Sequence, residues 1–107
     1  MYTLYALWAT PPDQEAFEAY YAETHAPLAA KLPGIRELNL VKTSDGLGDA
    51  PSLHYRIAEL VFDSKEALDE CQQSPEWDAL VADAGIMVER FEVELGNAAG
   101  ERVDAAT

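Results

Sequence analysis

Four strand-like stretches interleave with two helical ones in the order βαββαβ, and that order constrains the fold more than any other feature of the chain. It places both helices against one face of a single antiparallel sheet, the ferredoxin-like α+β arrangement. Tyr2 to Ala9 is apolar on both alternating faces, as a strand covered on both sides requires. Pro11-Pro12-Asp13 stops it, and Asp13 is placed to cap a helix running to about Thr24. Pro27 to Leu32 reads as a short continuation, ended by Pro33-Gly34. Ile35 to Thr43 alternates as a second strand, with Leu38 and Leu40 on one side and Ile35, Glu37, Asn39 and Val41 on the other. A turn-rich loop, 44–52, leads to a third strand from about His54 to Phe62.

Asp63 and Glu66 have capping-box spacing, with Ser64 as an alternative cap, and open a second helix through Leu68 and Cys71. Ser74-Pro75-Glu76-Trp77 restarts it, and Gly85 is expected to stop it. Ile86 to Leu95 is then the fourth strand, which bounds one domain at residues 1–95. Residues 96–107 are small, polar and aperiodic, so they are predicted to form a mobile tail. The sheet face without helices, carrying Tyr55, Ile57, Val61 and Val41, is too apolar to stay wet. A second copy is its expected cover, giving a homodimer whose facing sheets enclose a cavity in each subunit.

His25 sits on the first helix two residues before Pro27. Proline deletes a helical hydrogen bond and biases Ala26 away from helical geometry, so the helix is expected to kink or pause there. Counted at about 100° per residue from Phe17, the apolar stripe runs through Tyr20, Tyr21, Leu28 and Leu32, with His25 on its shoulder. A half-buried neutral imidazole there can act as a base, and the same spacing also fits a histidine bonded to loop carbonyls. Tyr21 and Tyr55 can hydrogen-bond a substrate oxygen or serve as core. Asn39, Glu37 and Glu59 share the sheet face assigned to the cavity, where polar lining and plain exposure both remain open. Cys71 shares a helical stripe with Leu68, as a buried structural thiol does.

The 107 residues carry 20 Asp and Glu against 7 Lys and Arg, a net charge of −13 that argues against nucleic acid or an anionic membrane as partner. Its acids are scattered, as on a solvated surface. One cysteine permits neither an intrachain disulfide nor a thiolate pair, and two histidines without a ligand spacing point to no metal. Gly46 and Gly48 lead into a strand rather than a helix, so no phosphate loop is read, and no cofactor is expected. The start shows neither a signal peptide nor a transmembrane pattern, which makes the cytoplasm the expected address.

The stretch Phe17-Glu18-Ala19-Tyr20-Tyr21-Ala22-Glu23-Thr24-His25-Ala26-Pro27-Leu28, ending in Leu32-Pro33-Gly34-Ile35, resembles the signature of the EthD family. Ser74-Pro75-Glu76-Trp77, with Leu80 and Ala82-Asp83-Ala84 after it, adds a second and more widely shared likeness. The resemblance implies a dimeric α+β barrel with a cavity for a small hydrophobic or aromatic-derived metabolite near His25. Similar proteins isomerise lactones or cyclise aromatic polyketides without a cofactor, so the implied chemistry is isomerase or lyase work with His25 as acid or base. His54 is the candidate second histidine, or else an exposed residue at a strand end. The alternative is a non-catalytic metabolite-binding accessory to a monooxygenase system, an association through which such proteins are often labelled oxidoreductases.

Overall fold

The computed structural model describes residues 1–105. Strands β1 (Tyr2–Trp8), β2 (Glu37–Lys42), β3 (Arg56–Phe62) and β4 (Leu95–Glu101) form one antiparallel sheet in the order β2-β3-β1-β4. Helix α1 (Gln14–Tyr20) passes through a π-helical turn, Tyr21–His25, into α2 (Ala26–Ala30). After β3 come α3 (Lys65–Cys71) and α4 (Pro75–Arg90). The chain is thus a ferredoxin-like α+β domain.

Register explains the layering. Leu4 opposes Leu60, and Ala6 opposes Ala58, which in turn opposes Leu40. These side chains share one face, and Ala29, Leu32, Leu68, Cys71 and Leu80 of the helical layer pack onto it. The other face carries the pairs Asn39–Glu59 and Val41–Ile57. The caps fall where the side-chain chemistry puts them: Asp13, Ser64 and Ser74 each accept from the backbone N–H three residues on.

Two expectations are corrected. Helix α4 runs straight through Gly85 to Arg90, so Ile86 to Leu95 is not a strand. A helix-interior glycine costs only about 1 kcal/mol against alanine. Leu80, Asp83, Ala84 and Met87 recur at helical spacing, and Met87 is fully buried. The fourth strand is instead β4, built from the segment read as a tail. Its Gly96-Asn97-Ala98-Ala99-Gly100 core has poor intrinsic strand preference, but pairing along all of β1 outweighs it. Residues 106 and 107 of that predicted tail lie outside the described residues.

Helix α4 ends with Glu92 in the left-handed region, φ 50°, a position usually given to glycine. Val93 N–H then bonds the Val88 carbonyl at 3.3 Å, which swings Val93 and Phe91 under the sheet. Among the described residues no helix is long and apolar enough to cross a membrane.

Candidate active site

Pro27 predicts a kink or pause in the helix, and the structure accommodates it by widening the helix into a π turn. Ala26 stays helical, φ −59° and ψ −42°, and its N–H reaches back five residues to the Tyr21 carbonyl. Such a turn holds one extra residue, so everything after it is rotated by roughly 100° relative to an uninterrupted α-helix. His25 therefore leaves the shoulder of the apolar stripe and joins the line of Phe17 and Tyr21. Its side chain is 9% exposed.

A carboxylate meets it there. His25 Nδ1 lies 2.8 Å from Asp83 Oδ2, and the Tyr20 hydroxyl donates to Asp83 Oδ1 at 2.5 Å. Asp83 projects from the buried stripe of α4 and is itself 6% exposed. A carboxylate accepts from both partners, so Nδ1 carries a hydrogen, and in the neutral ring Nε2 is the basic nitrogen. The bond to Asp83, burial and the same negative charge all raise the Tyr20 phenol above its usual value. Arg90, 5.0 Å above the Tyr20 ring, acts weakly the other way. Tyr20 thus stays a donor, and Asp83 is held from both ends.

His25 forms part of the wall of a cavity of about 380 Å³ between the sheet and the helices. Small-molecule sites start near about 300 Å³. Trp8, Tyr21 and Trp77 supply its aromatic walls; Ala6, Ala29 and Ala58 leave the space; Gln72 and Asn97 add carboxamides. Asp83 lies outside that wall and engages Nδ1, which leaves Nε2 as the ring nitrogen not committed to it. Trp8, wholly buried, packs edge-on to His25 with centroids 5.5 Å apart and fixes the ring plane. Tyr21 is braced from its other side: Arg56 stacks 4.4 Å from its centroid and is held by Glu18 at 2.7 Å. Burial raises the Tyr21 phenol, Arg56 lowers it and Glu18 raises it.

Of the sequence-derived candidates, His25 and Tyr21 meet at the cavity, and the others do not. The cavity lies on the helix side of the sheet, whereas Asn39 and Glu59 sit on the opposite face. Tyr55 precedes β3 and packs edge-on against Phe17 in the core, 5.7 Å between centroids. Its hydroxyl makes no regular hydrogen bond among the described residues, and burial first, then the hydrogen-bonding pull and charge of the neighbouring Glu18 carboxylate, push its pKa up to about 12. His54 lies in the loop before β3, where its carbonyl accepts from Thr43 and Ser52. The decisive residue that sequence reasoning passed over is Asp83. Its signal was an acid at helical spacing with Leu80, Ala84 and Met87, where an unpaired carboxylate cannot be buried.

Residues 10–90 match the EthD domain, and the chain belongs to the EthD family. An uncharacterised 11.0 kDa protein from the thcB–thcC intergenic region of Rhodococcus erythropolis is 31% identical over 83 residues, 78% of this chain and 80% of that one. The crystal structure of an ethyl tert-butyl ether D (EthD) family protein from Bacillus halodurans C-125 is similar with a TM-score of 0.83 and 31% identity, over 96% of this chain and 99% of that one. SnoaB from Streptomyces nogalater, a cofactor-independent oxygenase, shares the fold at a TM-score of 0.67 and 14% identity, over 97% and 94% of the two chains.

Proposed function

We propose that this EthD family member acts in small-molecule metabolism as a cofactor-independent isomerase or lyase, with His25 as its acid–base group. The observation that carries the reading is the imidazole in an apolar cavity wall with a buried carboxylate behind it. Nε2 takes a proton from a carbon beside a ketone or lactone carbonyl, and the electron pair moves into the carbonyl as an enolate. Asp83 stabilises the imidazolium and keeps the tautomer. The proton then returns at a different carbon, which is isomerisation, or a leaving group departs from the neighbouring carbon, which is elimination. A positioned acid–base group of this kind supplies about 10²–10⁴ in rate. SnoaB, named a cofactor-independent oxygenase, offers a precedent for cofactor-free work on this fold.

A homodimer is part of the proposal. Val41, 44% exposed, and Ile57 lie on the sheet face away from the helices, where a second copy would cover them. The apolar wall favours one further reading, a protein that holds a metabolite for a partner oxygenase without turning it over.

The test uses α-angelica lactone, whose double bond migrates when a proton moves from the α to the γ carbon, and β-tetralone, whose α protons exchange in D2O. Wild-type protein is expected to accelerate both, read by NMR, and a folded His25→Ala variant to lose about 10²-fold or more. Undiminished rates in the variant, or no acceleration by wild type, would overturn the assignment. Saturable binding of either probe without turnover would leave the carrier reading standing.

A further inference from the structure

Among the described residues, none that lines the cavity is a lysine or arginine. Only seven such residues exist in the chain, and the two that stack on tyrosines of the site are already engaged. Arg56 stacks on the wall residue Tyr21, but its guanidinium is bonded to Glu18 on two nitrogens. Arg90 stacks on Tyr20, whose hydroxyl is spent on Asp83. An anionic ligand would therefore enter an apolar space with no lysine or arginine to meet it, close to the buried Asp83, in a chain of net charge −13. Burying a charge without a partner is strongly unfavourable.

What the wall does offer is specific. Three aromatic side chains, Trp8, Tyr21 and Trp77, present flat apolar surface. With Nδ1 held by Asp83, Nε2 is the ring nitrogen left to a ligand, and in the neutral ring it is an acceptor, which calls for a donor on the ligand. Gln72 and Asn97 carry amide groups suited to a carbonyl oxygen; Asn97 spends one N–H on the Tyr5 carbonyl at 3.1 Å and keeps a second.

We infer that the ligand is an uncharged ring compound bearing a hydroxyl or enol and a carbonyl, and that carboxylates and phosphates are excluded by the wall. The inference deepens the proton-transfer reading, and it rests on that reading only for the orientation of the donor toward Nε2. Exclusion of anions rests on the wall alone, so it holds even for a protein that binds without turnover.

Three probes test it by calorimetry at neutral pH: β-naphthol, its methyl ether, and β-naphthoate. Naphthol is expected to bind at least about tenfold more tightly than naphthoate, a difference of about 1.4 kcal/mol. The methyl ether, which cannot donate, is expected to fall several-fold behind naphthol. His25→Leu should erase the gap between naphthol and its ether while keeping the rejection of naphthoate. Naphthoate binding as tightly as naphthol would overturn the inference and leave the lactone and tetralone assays of His25 untouched. No binding by either neutral probe at millimolar concentration would overturn it as well, because the wall would then not accept the ring class assigned to it.

Discussion

The two halves of the core are built on different rules. At one end Trp8, Phe17, Tyr21, Tyr55, Met87 and Val93 interlock ring against ring, with Trp8 and Phe17 edge-on at 5.5 Å and Phe17 stacked on Tyr21 at 5.7 Å. At the other, mostly aliphatic side chains with Phe62 share the space with Ala29 and Ala58, and the cavity opens where those small residues face Trp8 and Tyr21 of the aromatic end. The difference teaches that the room for a ligand lies where the tightly interlocked end meets the end built with small residues. The aromatic end holds His25 still, and the aliphatic end gives a ligand somewhere to sit. Interiors pack at crystal-like density, so space of this size has to be left by residue choice.

The harshest test of that comparison is Trp8→Ala, which removes the keystone of the aromatic end. A loss of about 3–5 kcal/mol in urea unfolding is expected. If the loss stayed near that of an aliphatic trimming such as Leu60→Val, the two halves would not differ as described. Asp83→Asn comes next, because it leaves the fold's size unchanged but disturbs both hydrogen bonds at its carboxylate. Stability should drop by about 1–3 kcal/mol, and proton transfer to the lactone probe by about 10²-fold, as the amide no longer enforces the productive imidazole tautomer. A rate equal to wild type would reduce Asp83 to a structural role.

Ala58→Leu sharpens the comparison from the opposite end. Placed in the roomy half, the added carbons fill the cavity, so the stability change should remain within about 1.5 kcal/mol while naphthol binding vanishes. Severe destabilisation would mean that this half is as tightly packed as the other. The smallest effect belongs to Tyr55→Phe, which deletes a buried hydroxyl that makes no regular hydrogen bond among the described residues and should be neutral or slightly stabilising at neutral pH. The sign with pH follows from linkage. The Tyr55 pKa is raised from 10.0 to about 12, so this phenol leaves stability unchanged below pH 10 and costs the folded state stability as pH rises from 10 toward 12. Alkaline unfolding of the phenylalanine variant should therefore show a shallower slope over that interval.

Much of this arrangement was legible in the residues. Strand alternation and the Asp13 and Ser74 caps led to the correct layers, although the second helix is capped by the alternative, Ser64, while the Asp63 carboxylate pairs with Arg36. His25 was singled out because proline chemistry made its surroundings unusual. Three features were hidden, each for a physical reason. Gly85 looked like a stop because local preference says so, but α4 buries Met87 two residues later, and tertiary contact overrode the preference. The strand Leu95–Glu101 carries almost no intrinsic strand signal, because its pairing with β1 comes from far away in sequence. Asp83 went unread as a site residue because its partners Tyr20 and His25 are 63 and 58 positions away. The side of the sheet on which the cavity lies was likewise invisible, since strand alternation distinguishes two faces without saying which one leaves room.

The wide turn at Tyr21–His25 has a consequence for how such a protein diverges. Removing one residue between Tyr21 and Thr24 would let the segment close into ordinary helix and swing the imidazole by about a quarter turn, away from its carboxylate. Every side-chain type at the site could survive that deletion, and the site would still be gone. Among descendants of this chain, then, helix length decides whether the imidazole faces the cavity, and a position-by-position tally of retained residues would miss the loss.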